Sequence, residues 1–109
     1  MAVTVVEDFL LPDGTPDTGK VTFRLSERSF QPLAGVHRTE SDIVVPLVAG
    51  SISVQLEPTA GGSADWAVPG VHYIVTESLG KKTGAATERT YRVDVPSTGP
   101  ARLGELTHL

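Results

Sequence analysis

Apolar and polar residues alternate with a period of two along much of the chain. Val21-Thr22-Phe23-Arg24-Leu25-Ser26, Ile52-Ser53-Val54-Gln55-Leu56-Glu57 and Tyr91-Arg92-Val93-Asp94-Val95 each place one apolar row toward a core and one polar row toward water. Val71-His72-Tyr73-Ile74-Val75-Thr76 reads as a further strand, rich in β-branched residues. Val3 to Leu11 reads as the first strand. Val3, Val5, Phe9 and Leu11 share a parity that Glu7 interrupts, so a bulge or a change of partner is expected near Glu7-Asp8. No window carries the i, i+3, i+4, i+7 pattern of an amphipathic helix. Only Ala101 to Leu106 suits a turn of helix, and Gly104 weakens it.

The segments between these runs are turn chemistry. Pro12-Asp13-Gly14-Thr15-Pro16-Asp17-Thr18-Gly19 separates the first two strands, and Ala49-Gly50 reads as a tight hairpin. Gly61-Gly62-Ser63 and Pro69-Gly70 bracket a loop that carries Trp66, and Leu79 to Thr87 reads as an exposed hairpin loop. Short strands joined by Gly/Pro turns in 109 residues predict an all-β fold: one small antiparallel β-sandwich of six to eight short strands. The sandwich is expected over residues 1–96, with 97–109 as a C-terminal tail packing on it or on a partner.

One run breaks the alternation. Ile43-Val44-Val45-Pro46-Leu47-Val48 is apolar on both faces, and Pro46 removes a ladder donor, which places this strand at a sheet edge. Such an edge must be covered by a loop or the tail of the same chain, or offered to another subunit.

Composition narrows the function. A net charge of −4 and a pI near 5.2 argue against nucleic-acid and anionic-membrane partners. The absence of cysteine excludes disulfides, a thiolate nucleophile and a Cys-based zinc site. The start, Met1-Ala2-Val3-Thr4, has neither a basic region nor a long apolar stretch, so synthesis in a cytoplasm is expected. His37, His72 and His108 lack ligand-like spacing, and no metal or cofactor is expected. His37, Ser41 and Asp42 hold the letters of a hydrolytic triad without a nucleophile elbow, on residues that point alternately to opposite faces of a strand. Asp13 to Asp17 suits a turn better than a calcium loop. Lys81, Lys82, Arg89 and Arg92 form a mild basic cluster that reads as a solvated hairpin. Trp66 serves either as a plug at one end of the sandwich or as an exposed anchor for a partner. An enzyme is not expected.

The order of features adds a resemblance. Pro12 to Phe23, Gly50 to Leu56 and Pro69 to Glu77 resemble the prealbumin-like or carboxypeptidase-regulatory type of β-sandwich, which Cna-B-like surface modules share. More narrowly, the Asp-Gly-x-Pro opening at Asp13 to Pro16, Tyr73 to Glu77, Arg89 to Pro96 and the ending Leu103-Gly104-Glu105-Leu106-Thr107 resemble domains of minor tail and tail-fibre proteins of actinobacteriophages. The isopeptide bond of Cna-B-like modules is not expected, although Glu77 matches its assisting glutamate. The sequence has no asparagine, and Val3 to Leu11 has no lysine.

The resemblance implies a non-enzymatic virion protein, made in the host cytoplasm, that docks on a symmetric scaffold of tail or capsid subunits as an oligomer or array. Attachment at a tail tip or fibre is the leading expectation. A capsid decoration protein and a carbohydrate or host-surface binding module are the alternatives. The residues expected at a protein interface are Ile43, Val44, Pro46, Val48, Trp66, Leu103, Leu106 and Leu109.

Overall fold

The computed structural model describes residues 2–59, 66–80, 87–106 and 108–109. Among them are nine strands: β1 (Val3–Asp8), β2 (Gly19–Leu25), β3 (Ser29–Gln31), β4 (Val36–Arg38), β5 (Ile43–Pro46), β6 (Ser51–Leu56), β7 (Tyr73–Leu79), β8 (Thr87–Val93) and β9 (Ala101–Arg102). They form a three-stranded sheet in the order β6-β1-β9, a four-stranded sheet in the order β5-β2-β7-β8, and a separate β3-β4 hairpin. The fold is a small all-β sandwich, antiparallel except for the parallel pairing of β1 with β9.

The period-two rows become the core. Val3 and Val5 of β1 and Ile52 and Leu56 of β6 face Val21, Phe23 and Leu25 of β2, Tyr73 and Val75 of β7, and Val93 of β8. Leu103 and Leu106 close one side of the core, in and just after a single 3-10 turn at Leu103–Glu105. This is where the helical turn was expected. Gly104 needs no side-chain space there, since a Cβ would lie 3.0 Å from the Glu7 carboxylate.

Of the bulge and the change of partner expected near Glu7-Asp8, the structure has no bulge: β1 pairs with β6 in one register from Val3↔Leu56 to Asp8↔Ser51. Glu7 keeps the inward parity of Val3 and Val5, and its carboxylate finds polar partners at the end of the sandwich. One more bond, from the Phe9 N–H to the Gly50 carbonyl at 2.6 Å, extends the ladder with β6, and then the chain changes partner: the Phe9 carbonyl accepts the Asp17 N–H at 3.0 Å and Leu10 bridges Pro16.

Ala49-Gly50 is a two-residue turn, as expected, but it does not join strands of one sheet. Only Val48 and Ser51 pair across it, and the chain passes from β5 in one sheet to β6 in the other. Both central residues have positive φ, 51° at Ala49 and 79° at Gly50, the pairing that a type I′ turn requires. A Cβ at Gly50 would lie 2.7 Å from the Phe9 carbonyl, so glycine is needed there for space as well as for φ.

Candidate functional site

The geometry of β5 follows from one hydrogen bond. Leu47 donates its N–H to the Gly19 carbonyl at 3.0 Å, continuing the ladder Lys20↔Pro46, Val21↔Val45, Thr22↔Val44, Phe23↔Ile43. Alternate residues of an antiparallel strand turn their backbone groups toward the neighbour. Ile43, Val45 and Leu47 therefore bond to β2, while Asp42, Val44 and Pro46 direct theirs away from the sheet. The missing N–H of Pro46 thus falls on the outward side, the placement a sheet-edge proline requires.

Side chains at this margin remain open to solvent. Ile43, Val44 and Val48 are 43%, 54% and 73% exposed. Pro46 is exposed, and with Val45, Val48 and Ile52 it lines a shallow apolar groove where β5 passes β6. Neither the tail nor the β3-β4 hairpin pairs with β5. On the outer face of the four-stranded sheet, Val44, Thr22, Thr76 and Thr90 stand in one row of β-branched side chains.

The tail lies on the opposite margin. His108 bridges Val93, and Leu109 donates its N–H to the Arg92 carbonyl at 2.9 Å, which covers part of the β8 edge. Leu103 and Leu106 are buried in the chain's own core, so they are not offered to a partner; Leu109 is exposed. Among the expected interface residues, Ile43, Val44, Pro46 and Val48 therefore share one margin, and Leu109 stands apart from them.

Trp66 lies at a mouth of the sandwich. Its indole N–H donates to the Pro58 carbonyl at 2.8 Å and its ring is half-buried against the core, as a plug would be. Trp66, Ile43, Tyr73 and Arg38 share one open cleft. Arg38, Glu57 and Tyr73 of its lining belong to one hydrogen-bond network. Gln31, fully buried, donates to Glu57 at 3.1 Å and accepts from the Arg38 guanidinium at 2.7 Å. Tyr73 donates to the Glu57 carbonyl at 3.0 Å, and burial raises its phenol above the ordinary range. The network fastens the β3-β4 hairpin to the sandwich.

The other mouth is also polar. Tyr91 donates a short hydrogen bond to Glu77, lies under the Arg89 guanidinium and stacks on His108 with ring centroids 4.8 Å apart. Burial, and then the Glu77 bond, raise the Tyr91 phenol. Burial alone would raise the Glu7 carboxyl, but the N–H groups of Asp8 and Gly104 and the Arg102 guanidinium together hold it below its usual value. Asp8 is lowered by the Ser51 hydroxyl and then by Arg102. Within this mouth the acidic groups meet donors, around a shallow pocket lined by Glu7, Asp8, Glu77, Arg89, Tyr91 and His108.

The remaining candidate residues are also engaged. His37 packs on Phe30; His72 donates from Nδ1 to the Gly70 carbonyl and accepts from Arg92. Asp13 accepts the Thr15 N–H at 2.9 Å, a turn rather than an ion loop. No group of three or more metal-ligating side chains converges among the described residues. Gly61 to Ser63, Lys81 and Lys82 fall outside the described residues.

Sequence reading missed the β3-β4 hairpin. Phe30 and Val36 are exposed on it, and Leu33 at its tip is 91% exposed. The available signal was Gln31-Pro32-Leu33-Ala34-Gly35, a turn with an apolar tip between strands too short to show a period.

In comparisons with known proteins, no family model matches the sequence and no curated protein does.

Proposed function

We propose that this chain is a non-enzymatic structural protein of a bacteriophage particle, which docks on a symmetric protein scaffold in the manner of a tail-tip or fibre attachment module. The observation that carries the docking reading is the β5 margin, where Ile43, Val44, Pro46 and Val48 are open to solvent beside an apolar groove. Apolar edges left open in a folded domain favour association. The phage assignment rests on the resemblance carried by Asp13 to Pro16, Tyr73 to Glu77 and Arg89 to Pro96. A decoration protein bracing capsid subunits would use the same margin and is the second reading. A sugar-binding role has less support, since the Trp66 N–H is already bonded within the chain.

The test replaces Val44 and Val48 together by Lys and measures incorporation into particles, with labelled antibody locating the wild-type protein on tail or capsid. Loss of incorporation from a folded variant supports the margin as the contact. Unchanged incorporation removes the margin, and absence of the wild-type protein from purified particles overturns both virion readings.

A further inference from the structure

We propose that β5 pairs antiparallel with β5 of a second copy of this chain, about a two-fold axis at Val44, joining the two four-stranded sheets into one. The proposal rests on reading the β5 margin as an interface and names its occupant.

Backbone complementarity comes first. With the axis at Val44, the two Val44 residues exchange N–H···O bonds, and the Asp42 N–H of each copy meets the Pro46 carbonyl of the other. Placing the axis at Val45 or Pro46 loses donors, because Pro46 has none. Placing it at Ile43 keeps as many bonds but sets the charged Asp42 opposite Val44 and runs pairing beyond the strand. The Val44 axis sets Val44 on Val44 and Ile43 on Val45, apolar against apolar on both faces.

Side chains on the outer face agree. The row Val44–Thr22–Thr76–Thr90 continues through the axis into its own copy, giving one β-branched row across both sheets. In the adjacent row Asp42, 3.7 Å from Arg24 within its own chain, lies opposite Pro46 of the second copy. Beyond that small ring stands Lys20 of the second copy, since Lys20 and Pro46 are register partners. Asp42 therefore sits between two cations, one from each copy. Such a short strand buries little area, so pairing is weak in free solution and gains when a scaffold holds the copies close.

The test is sedimentation of the wild-type chain over a concentration series to about 1 mM, beside Val44→Pro and Val44→Thr. The Val44 N–H points away from β2, so proline there spares the intramolecular ladder and removes both central bonds. The expected result is a concentration-dependent dimer in the wild type, weakened about tenfold or more by Val44→Pro and little changed by Val44→Thr. A wild-type chain that stays monomeric overturns the pairing, as does a folded Val44→Pro that dimerises like the wild type. If Val44→Pro does not fold, Lys20→Glu decides: a weaker dimer at low salt supports the pairing, and an unchanged or tighter one overturns it. The virion reading fails separately, by absence of the protein from particles.

Discussion

The carboxylate of Glu7, in the first strand, accepts the backbone N–H of Gly104, 97 residues further along the chain, at 2.7 Å. The same carboxylate meets Arg102 at 2.8 Å, and Arg102 also reaches Asp8 at 3.0 Å. One inward-facing acid at the end of β1 thus fixes the segment that places Leu103 and Leu106 in the core. Its folded-state affinity for a proton is lowered from the ordinary value of 4.5. A lowered carboxylate stabilises the fold fully above that value and ceases to as pH falls through the lowered one. Glu7→Gln is expected to cost about 1–2 kcal/mol at neutral pH and to flatten the acid limb of the stability–pH curve. Urea titrations from pH 7 to about pH 3 check both.

Ala49 holds a positive φ of 51° at the corner between the sheets. Asparagine tolerates that region better than alanine and suits the first position of a type I′ turn. Ala49→Asn is expected to raise stability by about 0.5–1 kcal/mol, read as a higher denaturation midpoint. A lower midpoint would contradict the turn geometry.

Gln31 is buried between Glu57 and Arg38. Its replacement by alanine removes one hydrogen bond from each and empties a buried site, while Arg38 and Glu57 still reach one another at 4.0 Å, and a loss of about 2 kcal/mol is expected. The hairpin should loosen before the sandwich does. Faster amide exchange at Val36 to Arg38 than in β2 or β7 would show this.

The sandwich was legible because β2, β6 and β8 carry runs with a two-residue rhythm, which burial on one face imposes. Pro46 announced the edge position of β5 for a reason visible in the ladder: its missing donor falls on the outward side. What remained hidden depended on contacts distant in sequence. Glu7 looked like a break in β1 because its partners lie at Arg102 and Gly104. Leu103 and Leu106 looked like interface residues because nothing local tells a tail that packs on its own domain from one that packs on a neighbour. Ala49-Gly50 carried a clear turn signature, yet a turn signature does not say whether both flanking strands stay in one sheet. The β3-β4 hairpin was missed because strands of three residues carry no period.

The backbone amide of Val44 tests the central claim most directly, because within the isolated chain it faces away from β2. Hydrogen–deuterium exchange at Val44 is measured in the dilute protein and again in the assembled state, particle or dimer. Rapid exchange when dilute and strong protection on assembly are the predicted results. Equally rapid exchange in both states would mean that the β5 margin meets no neighbour, and the docking account would be wrong.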